Sequence, residues 1–191
     1  KMYNEFLKEG RIAENNLYDA RAYGSMFFDD PYYHEGEHIL GYNYDDVYYE
    51  TSVTQYNFRK YMPATWDEQK QSAVGTNMPL MRYANVLLMQ AEVYNEQKHP
   101  EKAIPLINDV RRIHGKLPAM TGSDYEAVKA QIEHERLVEF ALENSRFYDL
   151  RGWGKLDEAM KADGRTNFNS STHSFLPIPL MEIQTNNEIN E

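Results

Sequence analysis

The strongest constraint on the fold is a pair of apolar stripes of helical period in the second half of the chain. Over residues 80–97, Tyr83, Val86, Leu87, Ala91 and Tyr94 recur at spacings of three and four, which lines them along one side of a helix. His99 and Pro100 break that helix. Ala103, Ile104, Ile107, Val110 and Ile113 then form a second stripe, ended by Gly115 and Pro118. Pro105 lies inside the second stripe without a backbone donor, so an irregularity is expected there. Ser123 with Glu126 reads as a capping box for a long third helix carrying Val128, Ile132, Glu135, Val138, Ala141 and Leu142. A short fourth helix is expected over residues 153–162. Leu176-Pro177-Ile178-Pro179 must be extended, because each proline biases its predecessor away from helix, and a last turn falls near residues 180–183.

Residues 1–79 differ in character. They are rich in Tyr, Asp, Asn and Gly and show no sustained helical period after the first ten or so positions. Residues 22–28 and 47–56 carry aromatic and β-branched side chains between turn-forming clusters, the pattern of brief strands or a hairpin. The expected fold is therefore mainly α: a helix pair plus a long helix over residues 80–191, and an irregular, aromatic-rich region with short strands over residues 1–79, both in one domain.

Composition removes several function classes. With 20 basic against 30 acidic residues the formal charge is -10, a balance that repels phosphate backbones and anionic lipid headgroups and disfavours nucleic-acid binding. There is no cysteine, so neither a disulfide framework nor a thiolate zinc site is available. No apolar run reaches the ~18 residues of a spanning helix, and the first ten residues lack the apolar segment of a secretory signal.

The charged motifs argue for structure rather than chemistry. Glu135, Glu139 and Glu143 step by four, while Arg136 with Glu139 and Glu143 with Arg146 are three apart, so a single helix would pair carboxylates with guanidinium groups. Nearby cations depress a carboxylate's pKa, the wrong direction for a general acid. Arg146, Asp149 and Arg151 suit multidentate ties between a helix end and nearby backbone. His134-Glu135 opens like a zinc-protease motif, but Val138 stands where the second histidine is required. His34 and His38, with Glu35 and Glu37, form the one dense metal-capable cluster in the sequence, and a solvated loop accounts for it, so no metal and no cofactor are expected. No Gly-rich phosphate loop or Gly-x-Ser-x-Gly elbow is present.

One feature of the helix pair goes beyond amphipathicity. Leu87, Ala91, Tyr94, Ala103 and Ile107 fall at the offsets of the large, small, aromatic, small and large packing residues of a tetratricopeptide unit, which the pair resembles. A single unit cannot bury both its faces and needs stacking neighbours. Residues 135–154, ERLVEFALENSRFYDLRGWG, resemble the signature of the SusD/RagB family. Other segments agree in the same order: NLYDAR at residues 16–21, with Ala20 where the family has proline, then PLMRYANVLL at 79–88 followed by Ala91 and Glu92, INDVR at 107–111 and LPIP at 176–179. Asn186-Asn187 corresponds to a terminal Asn-Pro segment, with Asn in place of proline. The chain thus looks like the carboxy-terminal part of such a protein, its amino-terminal half missing.

The resemblance implies a SusD-like fold and a non-enzymatic nutrient-binding protein on the outer face of a bacterial outer membrane. The family is lipid-anchored, through a segment outside this chain, and partners a SusC-like TonB-dependent transporter while holding glycan or, in some cases, peptide. Binding sugars requires flat aromatic faces and planar polar side chains. Residues 1–79 are rich in both, within a chain of 15 Tyr, 8 Phe and 2 Trp. Tyr32, Tyr33, Tyr42, Asn43, Tyr44, Tyr48, Tyr49 and Trp66, with Asp45 and Asp46, are the ligand-binding candidates. The alternative for each is a place in the core or against the missing half. Trp153 reads as packing. Two rival functions remain open: a tetratricopeptide-type protein-interaction module and a glycoside hydrolase.

Overall fold

The computed structural model describes residues 2–47, 56–63, 65–71, 75–186 and 188–189. The chain divides into two compact units, Lys1–Asn144 and Ser145–Glu191. In the first unit the order is α1 (Met2–Phe6), α2 (Ala20–Ser25), β1 (Met26–Phe28), α3 (Pro31–His34), α4 (Tyr44–Val47), β2 (Tyr56–Phe58), α5 (Trp66–Gln69), α6 (Tyr83–Glu96), α7 (Pro100–Val110) and α8 (Tyr125–Glu139). The mainly helical class holds, with one small antiparallel sheet that pairs Met26 with Phe58, Phe27 with Asn57 and Phe28 with Tyr56. Residues 20–25 are helical rather than extended, because Asp19 caps α2 by accepting from the Arg21 amide. Asp30 does the same for α3, whose first position is Pro31.

Helices α6 and α7 pack as the tetratricopeptide pattern requires, with Ala91, Ala103 and Ile107 fully buried between them and Leu87 and Tyr94 at the edge. The rest of the α6 stripe is rotated from the expected one. Ala84, Leu88, Ala91 and Asn95 face inward, while Tyr83 (74% exposed) and Val86 (42%) face out. Apolar residues lie on both sides of this helix, so spacing alone does not choose the buried side. The expected irregularity at Pro105 is displaced: α7 runs through the proline and widens into a π turn at Arg111–Gly115, closed by Lys116 in the left-handed region (φ 56°).

The cap of α8 is Asp124, whose carboxylate accepts from the Ala127 amide at 3.0 Å, and not Ser123. The helix stops at Glu139, earlier than the apolar pattern suggests. Leu142 (φ 66°) and Asn144 (φ 61°) are left-handed, so Ala141, Leu142 and Glu143 lie in a turn. Two hydrophobic cores meet along α8. Val128 and Ile132 join Ala91, Ile107 and Val110 in a helical core. Val138 joins Phe6, Met26, Phe28 and Tyr33 in an aromatic one. Glu135, between those two stretches of α8, and Glu139, next to Val138, are both buried.

The second unit contains α9 (Arg146–Gly152), α10 (Leu156–Ala162), α11 (Ser170–His173) and α12 (Leu180–Thr185). The motif of residues 135–154 therefore lies on two helices in two units rather than on one. Within this unit Arg151 donates to the Ser174 carbonyl at 3.0 Å and its guanidinium lies 4.9 Å from the Phe175 ring centroid. The Arg146 guanidinium lies 5.6 Å from the Trp153 ring. Residues 176–179 are in no helix or strand, in keeping with their two prolines.

Candidate functional site

At the junction of the two cores a buried ion cluster gathers residues from distant parts of the chain. Glu135 is 0% exposed. Its Oε1 accepts from Arg111 Nη1 at 2.7 Å and Gln131 Nε2 at 2.8 Å, and its Oε2 accepts from Arg21 Nη1 at 2.6 Å. Arg21 is clasped on its other side by Asp19, with Nη2 to Oδ2 at 2.6 Å and Nε to Oδ1 at 2.9 Å. Burial works to lower the Arg21 pKa, but Asp19 and Glu135 outweigh it and the net shift is upward. Asp19 and Glu135 thus hold Arg21 in its charged form.

Glu139 is held from three sides. Its Oε1 accepts from Arg82 Nη1 and lies at the same 2.7 Å from His114 Nδ1, while Lys60 and Arg82 both donate to its backbone carbonyl. Burial would raise this carboxyl's pKa, but Arg82, His114 and Arg21 hold it below the usual range. Glu143, past the helix end, accepts from Arg82 and Lys60. The expected partner of Glu139 along the helix, Arg136, instead donates to Asn85 Oδ1 and lies 5.2 Å from the Phe140 ring. Tertiary contacts have taken over from neighbours on the same helix.

Two backbone features make room for the cluster. The π turn carries Arg111 inward, and Gly115 in that turn passes so close that a Cβ would stand 3.2 Å from Arg21 Nη2 and from Asp19 Oδ1. Gly115 thus has a packing role besides ending the helix. On the far side Arg111 binds Glu9, Nη1 to Oε1 at 2.7 Å and Nη2 to Oε2 at 3.0 Å, and this pairing holds the Glu9 pKa down. Glu9, His134 and Glu135 bring three potential metal ligands within 4.8 Å of one another. The Arg111 guanidinium donates to both carboxylates there, so the cation of this cluster is an arginine.

The histidine-rich loop is split up: His34 turns to Asp29 (2.8 Å) and Asp45 (3.1 Å), while His38 stacks on Tyr32 at 4.0 Å. The ligand candidates do not form one surface. Tyr33 is fully buried, donating its hydroxyl to the carbonyls of Met26 (2.7 Å) and Tyr23 (3.1 Å), and burial raises its pKa. It has no free face for a ligand, and its place in the core follows from those two carbonyl acceptors. Tyr32 is half-buried against Tyr23, Tyr33 and His38. Tyr42 is 46% exposed, Asn43 is half-buried, and Tyr44 lies 4.8 Å from His34. Tyr48, Tyr49 and the side chains of Asp46 and Trp66 lie outside the described residues.

Two neighbouring cavities flank the cluster. One, about 440 Å³, is lined by Gly24, Phe27, Glu37, His38, Arg59 and Tyr61 among others. The second, about 460 Å³, shares Gly24, Lys60 and Tyr61 with it and reaches Arg82, Glu139 and Glu143. A third, about 340 Å³ and mainly apolar, lies beside α6 between Tyr83, Leu87, Val110 and Ile113. Sequence reasoning had no means of finding Arg59, Lys60, Glu5 or Glu9. Only the spacing of four between Glu5 and Glu9 gave a faint sign, marking them as one side of a helical turn.

Comparison with known proteins agrees with this fold. A SusD-like protein from Formosa agariphila is 33% identical over 138 residues, covering 66% of this chain and 26% of that protein. A second SusD-like protein of that organism is 33% identical over 93 residues, covering 44% and 18%. Among solved structures, a SusD superfamily protein from Bacteroides vulgatus matches 97% of the chain with a TM-score of 0.79 at 29% identity. A SusD-like protein from Bacteroides fragilis matches 74% with a TM-score of 0.57 at 31% identity. The chain spans 41% and 29% of those two structures, and about a quarter or less of the Formosa relatives. The model of the SusD family matches residues 2–191, and the chain belongs to that family.

Proposed function

We propose that this chain is part of a non-catalytic cell-surface protein that captures glycan, or peptide, and passes it to a SusC-like TonB-dependent transporter. The observation that carries the reading is the SusD family match along residues 2–191. The chemistry of the ion cluster supports capture without cleavage. Glu135, Glu139 and Glu143 each face at least two cationic donors, and the lowered pKa of Glu139 keeps it ionised where a general acid must carry its proton. The cluster acts as a structural joint between the two cores of the first unit. Ligand contact then falls to the exposed Tyr42 and the half-buried Tyr32, Asn43 and Tyr44, with Tyr48 and Trp66 as further candidates. No helix among the described residues is long and apolar enough to cross a membrane, and anchoring to the outer membrane is assigned to a lipidated segment outside this chain.

A second reading, a tetratricopeptide-type module that binds a protein segment, is favoured by the outer face of α6. Tyr83, Val86 and Val93 are exposed there, as are Leu80 and Met81 just before the helix, and Tyr83 borders the apolar cavity. Retention of the protein on an immobilised glycan supports capture of sugar, whereas selective binding of peptides supports the second reading. Release of reducing sugar by the purified protein refutes both.

A further inference from the structure

We infer that the cavity lined by Gly24, Phe27, Glu37, His38, Arg59 and Tyr61 is a subsite for a neutral saccharide, an assignment that rests on the glycan reading above. Its volume, about 440 Å³, lies within the range of small-molecule sites.

Arg59 is set up for this role. Its Nη1 donates to the Tyr23 carbonyl at 2.8 Å and its guanidinium lies 5.5 Å from the Phe27 ring. The side chain is fixed on the Tyr23 carbonyl and also interacts with the Tyr33 hydroxyl, and among the described residues its Nε and Nη2, the adjacent pair of donors, make no direct hydrogen bond. Such a pair is the part of an arginine that grips two neighbouring oxygens. The Tyr61 hydroxyl, the Glu37 carboxylate and the His38 ring nitrogens also make no hydrogen bond among the described residues. Lys60 is not available, since Glu143 and the carbonyls of Glu139 and Ala141 take its ammonium.

The backbone keeps the space open. Gly24 lies inside α2, where glycine costs about 1 kcal/mol of helix propensity relative to alanine. No packing demands it, because a Cβ there would meet nothing within 4 Å. What its missing side chain leaves free is shared by both cavities. Tyr61 adopts φ 69°, a conformation that a bulky residue holds only at a cost and that tends to occur where function requires it.

The charge of the free groups selects the ligand class. Arg59 offers a cation and Glu37 an anion in one cavity, so a ligand with many hydroxyls satisfies both, whereas a uronate that satisfied Arg59 would bring a second negative charge to Glu37. Ring hydroxyls would bridge the Arg59 fork and the Glu37 carboxylate, with the Tyr61 hydroxyl as a further partner.

The test is an array of neutral glycans, with uronate-bearing glycans alongside, probed with the full-length protein and with Arg59→Met and Gly24→Leu variants. The expected result is binding of a neutral glycan by the wild type and a loss of tenfold or more in both variants. Gly24→Leu adds a side chain to open space at a helical position, so its unchanged melting temperature separates lost binding from lost fold even if Arg59→Met folds poorly. A neutral glycan bound equally well by the wild type and Gly24→Leu overturns the subsite and leaves the capture function standing. Preference for uronates overturns the ligand class assigned here. No glycan bound by the wild type overturns the capture of sugar and the subsite together.

Discussion

Replacing Arg21 with methionine removes the guanidinium that Asp19 and Glu135 share, at 2.6 Å on each side. Both carboxylates are buried and stay so. Glu135 keeps Arg111 and Gln131, but among the described residues Asp19 keeps only the amide of residue 21. Breaking a buried ion pair by deleting one partner costs about 3–5 kcal/mol, because the other is left desolvated and unpaired. In a chain of this size each kcal/mol is roughly 2–4 °C, so the melting temperature should fall by about 10 °C. Urea unfolding followed by far-UV circular dichroism, with the slope of the transition unchanged, measures the loss directly. The same assay on Glu135→Met and on the double variant completes a cycle, in which the two single losses should exceed the double by about 1–3 kcal/mol, since removing both charges relieves the unpaired remainder. A loss below about 1 kcal/mol for Arg21→Met, or strict additivity, would refute the role of this pair in joining the two cores.

Glu139 and Glu9 are held below their ordinary pKa in the folded state. They therefore add stability that is complete above the unfolded value of about 4.3 and is lost as pH falls through their folded values. Acid titration of the wild type should show unfolding only well below pH ~4.3, and Arg21→Met, which takes a cation from Glu139, should move that limb to higher pH. Tyr33→Phe removes the donor to the Tyr23 and Met26 carbonyls. It should cost about 1 kcal/mol in urea unfolding while leaving glycan affinity unchanged, and a selective loss of affinity would contradict its assignment to the core. Asp124→Ala should destabilise by about 1 kcal/mol and Ser123→Ala by less than half of that, and the reverse order in thermal unfolding would restore the capping box read from the sequence.

The sequence made the helix pair legible because Ala91, Ala103 and Ile107 are set by a local spacing whose meaning does not depend on the rest of the chain. The buried side of α6 was not legible at Tyr83 and Val86, where apolar residues occupy both sides of the helix. The ion cluster was half legible. The spacing of four between Glu135, Glu139 and Glu143 marked them as a set, but their partners come from Arg21, Lys60, Arg82 and Arg111, far away in the sequence. No helical spacing encodes such contacts. The turn that separates α8 from α9 was hidden because Ala141, Leu142 and Glu143 are good helix formers, and Leu142 adopts a left-handed conformation against its preference. Tyr33 shows why the aromatic candidates could not be sorted in advance: the same side chain serves a sugar face or a core, and only the nearby carbonyls decide.

The central claim is capture without cleavage, and incubating the full-length protein with a bound glycan tests it most directly. Calorimetry should show saturable binding, and chromatography of the recovered glycan should show it at its original length. No saturable heat with any glycan, or recovery of shortened chains with new reducing ends, would contradict the account.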